Sequence, residues 1–189
     1  MRLSRLIAGL DGARVMVPQG VADPDPEITA IHYRSQSVGP GGVFVAIRGL
    51  TTDGHAFADD AIQRGAVALV TDRPLRSGRI VVVTGDTRKA LASMAGQFFG
   101  EPSRKFRLIG VTGTNGKTTT TYLLEGILQQ AGFTPGVVST VNYRYGGKVF
   151  DNPMTTPESL ELQGIFSEMA QAGVSHVVME VSSHAVELD

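Results

Sequence analysis

The chain has 189 residues, 42 % of them hydrophobic and 19 % charged, which is enough apolar mass for a buried core and too little charge for a disordered chain. Seventeen Lys+Arg against eighteen Asp+Glu give a formal net charge of −1, so no basic excess argues for nucleic acid as a partner. The absence of Cys excludes disulfides, thiolate metal sites and cysteine nucleophiles, and no run reaches the roughly 18 apolar residues of a membrane span.

The N-terminal stretch is interrupted by Asp11 too early for a signal peptide, so a cytoplasmic protein is expected. The apolar runs 43–47, 66–70 and 80–83 predict buried strands. Between the first two, 56–64 predicts a short helix ended by Gly65. Asp86 predicts the N-cap of a further helix with its apolar face on Leu91, Met94, Ala95 and Phe98. Gly100-Glu101-Pro102-Ser103 then punctuates the chain and sets a boundary between domains 1–102 and 103–189.

The second series begins with a strand over 107–111, a glycine loop and a helix from 118 to about 131 with Gly132 as its C-cap. A strand over 136–141 follows, then a hairpin or loop over 142–154 with Gly146-Gly147 at the turn. Thr156 and Pro157 predict the N-cap and first position of a helix whose apolar face is Leu160, Ile165, Phe166 and Met169. Residues 174–181 read as a third strand. The alternation predicts an α/β protein: a small mixed α/β domain, then a P-loop-type domain on a largely parallel sheet.

The strongest motif is Gly113-Thr114-Asn115-Gly116-Lys117-Thr118-Thr119, placed between a predicted strand and a predicted helix. There, consecutive backbone N–H groups form an anion nest and the helix N-terminus adds its positive end. Lys117 can reach terminal phosphates, and the Thr118 hydroxyl can ligate Mg²⁺. The general phosphate-loop pattern would place Gly at position 111, which is Val111 here; the available glycines are Gly110 and Gly113. The motif therefore implies a nucleoside triphosphate and Mg²⁺ but not the reaction. The guanine-reading Asn-Lys-x-Asp motif of a GTPase switch does not occur.

Residues 111–120 resemble the ATP loop of the Mur ligases of peptidoglycan synthesis, whose shorter loop accounts for the missing glycine. Met154-Thr155-Thr156-Pro157-Glu158 and Met179-Glu180-Val181-Ser182-Ser183-His184 are similar to two signatures of the MurE branch. Residues 34–46 and Gly49-Leu50-Thr51-Thr52-Asp53-Gly54-His55 look like the UDP-substrate domain shared by the MurE and MurF branches. The resemblance implies an ATP-dependent ligase that adds a diamino acid to UDP-MurNAc-L-Ala-D-Glu through an acyl phosphate. A monomer is the expected state.

By resemblance, Lys117 serves catalysis, Glu180 ligates Mg²⁺ with Thr118, and Thr155, Thr156 and Ser182 contact the muramoyl-peptide part of the substrate. Glu180 also stands at the end of a predicted strand, where a carboxylate can meet a phosphate loop's cation. Tyr33, Ser35, Leu50, Thr51 and Thr52 match positions that hold the uridine diphosphate end; Arg34 and Gln36 replace the family's usual Asp and Arg. His184, four residues after Glu180, reads as structural, and His32, His55 and His176 show no metal-ligand spacing. The family's distal lysine carbamate, an arginine after Leu188-Asp189 and a third domain for the incoming amine lie beyond these motifs. The chain is therefore expected to be the N-terminal portion of a ligase and inactive alone. A UDP-sugar or nucleotide-binding module without catalysis, or a MurF-type ligase, stay open as alternatives.

Overall fold

The computed structural model describes residues 1–49, 52–151 and 157–182. The chain divides into two compact units, Met1–Phe98 and Phe99–Asp189.

The first unit is built on a sheet of order β1-β5-β4-β3-β2. Strands β2 (Ala30–His32), β3 (Gly42–Val45), β4 (Ala68–Thr71) and β5 (Ile80–Val83) run parallel, and β1 (Arg14–Met16) lies antiparallel on β5. Phe44, Leu69 and Val81 point to one face and pack with Ala58 and Ala61 of α2 (Ala58–Gln63). The alternate residues Val43, Val45, Ala68 and Val70 are equally buried on the other face. Helix α3 (Thr87–Phe98) packs against β4, and α1 (Leu3–Leu6) against α3. The expected Asp86 cap is present, its Oδ1 accepting from the amides of Arg88 and Lys89 at 2.9 and 3.1 Å.

The short strands β1 and β2 were not legible as strands, since three residues carry no period. Helix α2 is preceded by a single 3-10 turn, Gly54–Phe57, where the sequence predicts one helix over 56–64. Gly65 stops α2 at φ +112, and a Cβ there would lie 2.8 Å from the Pro40 Cα, so both conformation and space demand glycine.

The second unit has the order β6-β10-β7-β8-β9. Strands β6 (Arg107–Val111), β10 (His176–Glu180) and β7 (Pro135–Val138) are parallel; β8 (Asn142–Tyr145) and β9 (Lys148–Asp151) add antiparallel. The predicted hairpin is there, turning through Gly146 and Gly147 at φ 57 and 75. Its core joins Val138 and Val177 to Ile165, Phe166 and Met169 of α5 (Ser159–Gln171).

Two boundaries move. Strand β7 stops at Val138 rather than 141, because the Ser139 hydroxyl accepts from the amides of Val141 and Asn142 and turns the chain. Helix α5 starts at Ser159, after an extended Glu158 at its N-cap, so Pro157 is not its first residue. The expected Thr156 cap lies outside the described residues.

Candidate functional site

Strand β6 delivers the chain to the loop 112–116, and α4 (Lys117–Gln130) begins directly after it. Gly113 holds φ +143, and Gly116 is the left-handed N-cap at φ 80, ψ 0. No side chain caps α4, so its first amides stay available to an external acceptor. The loop residues Gly113, Thr114, Asn115 and Gly116 are exposed, as are Thr118 and Thr119. The Lys117 ammonium donates to the Gly113 carbonyl at 2.8 Å, bending back over the loop. Deeper in α4, the buried Thr121 hydroxyl donates to the Thr118 carbonyl at 2.8 Å.

Parallel pairing fixes the second component. In the β10–β6 register Glu180 lies opposite Val111, the last residue before the loop, and the Val181 amide donates to the Val111 carbonyl at 2.9 Å. Helix α4 packs on β10. Glu180 is 8 % exposed, and its Oε1 is buried without a hydrogen-bond partner among the described residues. An ionised oxygen in that position costs free energy unless a cation or donor meets it. The Glu180 carboxylate therefore fits a divalent cation, and Thr118, exposed in the first turn of α4, is the other residue that would hold it. Ser182 follows two residues later, half-buried. Thr155 and Thr156, with Ser183 and His184, lie outside the described residues.

A contact not foreseen from sequence ties the hairpin to α4. Arg144 on β8 donates through Nε and Nη2 to the Glu125 carboxylate at 2.6–3.1 Å, and through Nη1 to Asn142 Oδ1 at 3.0 Å. Its guanidinium also lies 4.0 Å from the Tyr122 ring centroid. The pair bridges nineteen residues, and helix or strand periodicity carries no sign of it.

In the first unit, Tyr33 lies below the Arg34 guanidinium, 5.3 Å from its ring centroid. Ser35 is buried at 2 % exposure, so any ligand contact here falls to the backbone or to neighbours. Asp60 on α2 is held below the usual carboxylate range by the nearby Ser35 hydroxyl, which makes no well-formed hydrogen bond, and then by Arg64, whose Nε donates to it at 3.0 Å. Thr52 is exposed, and its carbonyl accepts from the Gly49 amide at 2.8 Å. Leu50 and Thr51 themselves are outside the described residues. Sequence reading missed the polar cluster around Asp53. There the His55 Nδ1 lies 2.6 Å from Asp53 Oδ1, and Arg73 Nη2 donates to Asp53 Oδ2 at 2.9 Å. Arg73 above all, then the His55 amide and ring, hold the Asp53 carboxyl far below the usual carboxylate range.

Two family models match the chain: the Mur ligase middle domain over residues 111–189, and the Mur ligase family, catalytic domain, over residues 27–99. The chain is 45 % identical over 186 residues to the UDP-N-acetylmuramoyl-L-alanyl-D-glutamate--2,6-diaminopimelate ligase of Geobacillus thermodenitrificans (strain NG80-2), covering 98 % of this chain and 37 % of that protein. A solved structure of a ligase of the same description is similar at a TM-score of 0.71 and 26 % identity, over 85 % of this chain and 33 % of that one. The MurF ligase of Thermotoga maritima in complex with ADP is similar at a TM-score of 0.51 and 26 % identity, over 82 % of this chain and 32 % of that one. The chain thus spans little more than a third of the length of the relatives it matches. Among the described residues, no helix is long and apolar enough to cross a membrane.

Proposed function

Because the chain belongs to the Mur ligase family, we propose that it forms the UDP-substrate and ATP-binding portion of a ligase that adds 2,6-diaminopimelate to UDP-MurNAc-L-Ala-D-Glu. In this reading the first unit holds the uridine diphosphate end, through Tyr33, Ser35, Leu50, Thr51 and Thr52. The second unit holds ATP on residues 113–119, with Thr155, Thr156 and Ser182 toward the muramoyl peptide. In this reading two substrates are nucleotides and the third a diamino acid, all met in the cytoplasm, and the working form is a monomer.

A carboxylate is a poor acyl donor. In the reaction its oxygen attacks the γ-phosphorus of ATP, ADP departs, and the amine of the diamino acid then displaces inorganic phosphate as the amide bond forms. Such transfer asks for positioning and charge neutralisation rather than a covalent protein intermediate. The left-handed glycines shape the cradle, the α4 amides and Lys117 bind phosphate oxygens, and Glu180 with Thr118 holds the ion. When bound, Mg²⁺ offsets the negative charge that builds on the phosphates.

The observation that carries this reading is the buried, unpartnered Glu180 oxygen in register with the mouth of the phosphate loop. Calorimetric titration of the chain with ADP, with and without Mg²⁺, tests it. Binding is expected to strengthen with Mg²⁺, and Glu180→Gln is expected to abolish that difference. Mg²⁺-independent binding by the unaltered chain would refute the assignment. Amide-bond formation is expected only from the full-length ligase; phosphate release by the 189-residue chain that depends on both substrates would overturn that view.

A further inference from the structure

The helix that carries the phosphate loop is weak by sequence. Residues 118–121 are four consecutive threonines and Gly126 stands mid-helix, all poor helix formers. A Cβ at Gly126 would meet nothing within 4 Å, so packing does not require glycine there. Thr121 is the one buried residue of α4, and Leu123 and Ile127 are exposed. Such a helix depends for its position on contacts with other elements rather than on propensity.

On the side toward the β8–β9 hairpin that contact is ionic. Tyr122 and Glu125 lie one turn apart on the same side of α4. Arg144 of β8 reaches both: Nε and Nη2 donate to the Glu125 carboxylate at 2.6–3.1 Å, and the guanidinium carbon lies over the Tyr122 ring, 4.0 Å from its centroid. Nη1 donates to Asn142 Oδ1 at 3.0 Å, so all three guanidinium nitrogens are engaged. The Arg144 and Glu125 side chains are 11 % and 15 % exposed, which limits screening by salt. Two attachment points one turn apart oppose both sliding and rotation of the helix. Replacing a buried ion pair by hydrophobes of similar volume is often neutral or stabilising, so what this pair adds beyond packing is direction. A planar guanidinium held through two nitrogens supplies direction where an ammonium does not.

Direction matters at the other end of α4. Lys117, Thr118 and the first amides belong to the helix, whereas Glu180 belongs to β10, which parallel pairing holds between β6 and β7. Thr118 and Glu180 meet one ion only if α4 keeps its place against the sheet. Glu125 stands eight residues beyond Lys117, about 12 Å along the axis, too far to touch the phosphates.

We propose that Arg144 and Glu125 are positioning residues for nucleotide binding: their pair fixes α4 against the hairpin, and with it the loop amides, Lys117 and the Thr118 hydroxyl relative to Glu180. The proposal rests on the reading above that residues 113–119 hold the nucleotide.

The test uses the 189-residue chain, calorimetric titration with ADP with and without Mg²⁺, a urea titration of stability, and amide hydrogen exchange without ligand. The decisive variant replaces both partners, Glu125→Leu with Arg144→Met, which removes the directional contact and leaves no unpaired charge. Its urea midpoint is expected to stay near that of the unaltered chain. Exchange along α4 is expected to speed up about tenfold. ADP affinity in Mg²⁺ is expected to fall about tenfold, the scale of one charge-assisted hydrogen bond, and without Mg²⁺ by no more than about threefold. Arg144→Lys, which keeps the charge on a single nitrogen, is expected to lie about threefold below the unaltered chain. Glu125→Gln keeps the shape and one acceptor oxygen and serves if the double variant fails to fold; a loss of about threefold in Mg²⁺ is expected from it.

Unchanged exchange along α4 overturns the proposal, and so does unchanged affinity for ADP in Mg²⁺. A loss of affinity that only follows a loss of stability also overturns it, since a merely structural pair would give that result. If the unaltered chain binds no ADP, the nucleotide reading of residues 113–119 fails and the proposal falls with it. If the unaltered chain and the variants bind ADP equally, that reading stands and the proposal alone falls.

Discussion

In the first unit β3 and β4 are buried at every position, and α3 buries six of its twelve residues. In the second unit β6 has no buried position, and Thr121 is the single buried residue of α4. Leu123 and Ile127 on α4 are 62 % and 63 % exposed, although the strand–helix pattern that predicted both units is the same. Strand β6 reads as Leu-Ile-Gly-Val, the composition of a parallel strand covered on both faces, yet it pairs on one side with β10 and lies at the edge. The apolar surface of the second unit therefore exceeds what the described residues cover, in keeping with a chain that spans 37 % of its relatives' length. The charged groups around Asp53 in the first unit pair with one another, whereas in the second the buried Glu180 Oε1 has no partner among the described residues and no side chain caps α4.

Core truncation is the strongest way to break this contrast. Leu91→Ala, at a position with no exposure, is expected to destabilise the first unit by about 2–5 kcal/mol. Leu123→Ala is expected to change the second by no more than about 0.5 kcal/mol. Urea titration followed by amide exchange, unit by unit, reads both; equal costs would show that α4 is covered in solution. Next in size is the loop lysine. If Lys117 makes the proposed charge-assisted phosphate contact, Lys117→Met is expected to lower ADP affinity about 10- to 100-fold while UDP-MurNAc-L-Ala-D-Glu binds as before. In the full-length ligase the same change should abolish ATP-dependent turnover, and unaltered turnover would remove Lys117 from the site.

Smaller still, Gly116→Ala meets no atom within 4 Å, so its cost is the left-handed backbone alone, about 1 kcal/mol. ADP titration of that variant, set beside its thermal midpoint, separates loop shape from fold stability. Acid sharpens the contrast last. The folded Asp53 carboxyl is depressed below its ordinary value of 3.8, so its contribution is complete above that value and is lost as pH falls through the folded one. The first unit should lose stability below about pH 4, and Asp53→Asn should flatten that part of the profile. A slope unchanged by the substitution would place the acid sensitivity elsewhere.

Local signals carried much of this architecture. Asp86 announced α3, Gly65 and Gly132 announced helix ends, and Gly146-Gly147 announced a hairpin, because each acts within five residues of itself. The phosphate loop was legible for the same reason: strand, glycines, Lys117 and helix are consecutive. The polar cluster around His55 was not, because Asp72 reaches His55 across 17 residues by way of the β3–β4 pairing. His55 read alone has no ligand spacing and no charge pattern. Glu180 was legible as a strand-end carboxylate, but its burial and lack of a partner depend on β10 running beside β6, which no local period encodes. The Glu125–Arg144 pair was hidden in the same way.

The register of β10 has a consequence for how this sequence can change in length. Side chains alternate across a strand, so deleting or inserting one residue between the fixed end of α5 and Glu180 would send the carboxylate to the opposite face of the sheet. Such an indel would keep every motif residue in the alignment and still remove the carboxylate from the proposed ion site. A residue added at Gly146-Gly147, by contrast, lengthens only a solvent-exposed hairpin tip. Gaps in related sequences should therefore collect at that tip and be excluded from 174–180, so the spacing between α5 and Glu180 is as much a part of the signature as the glutamate.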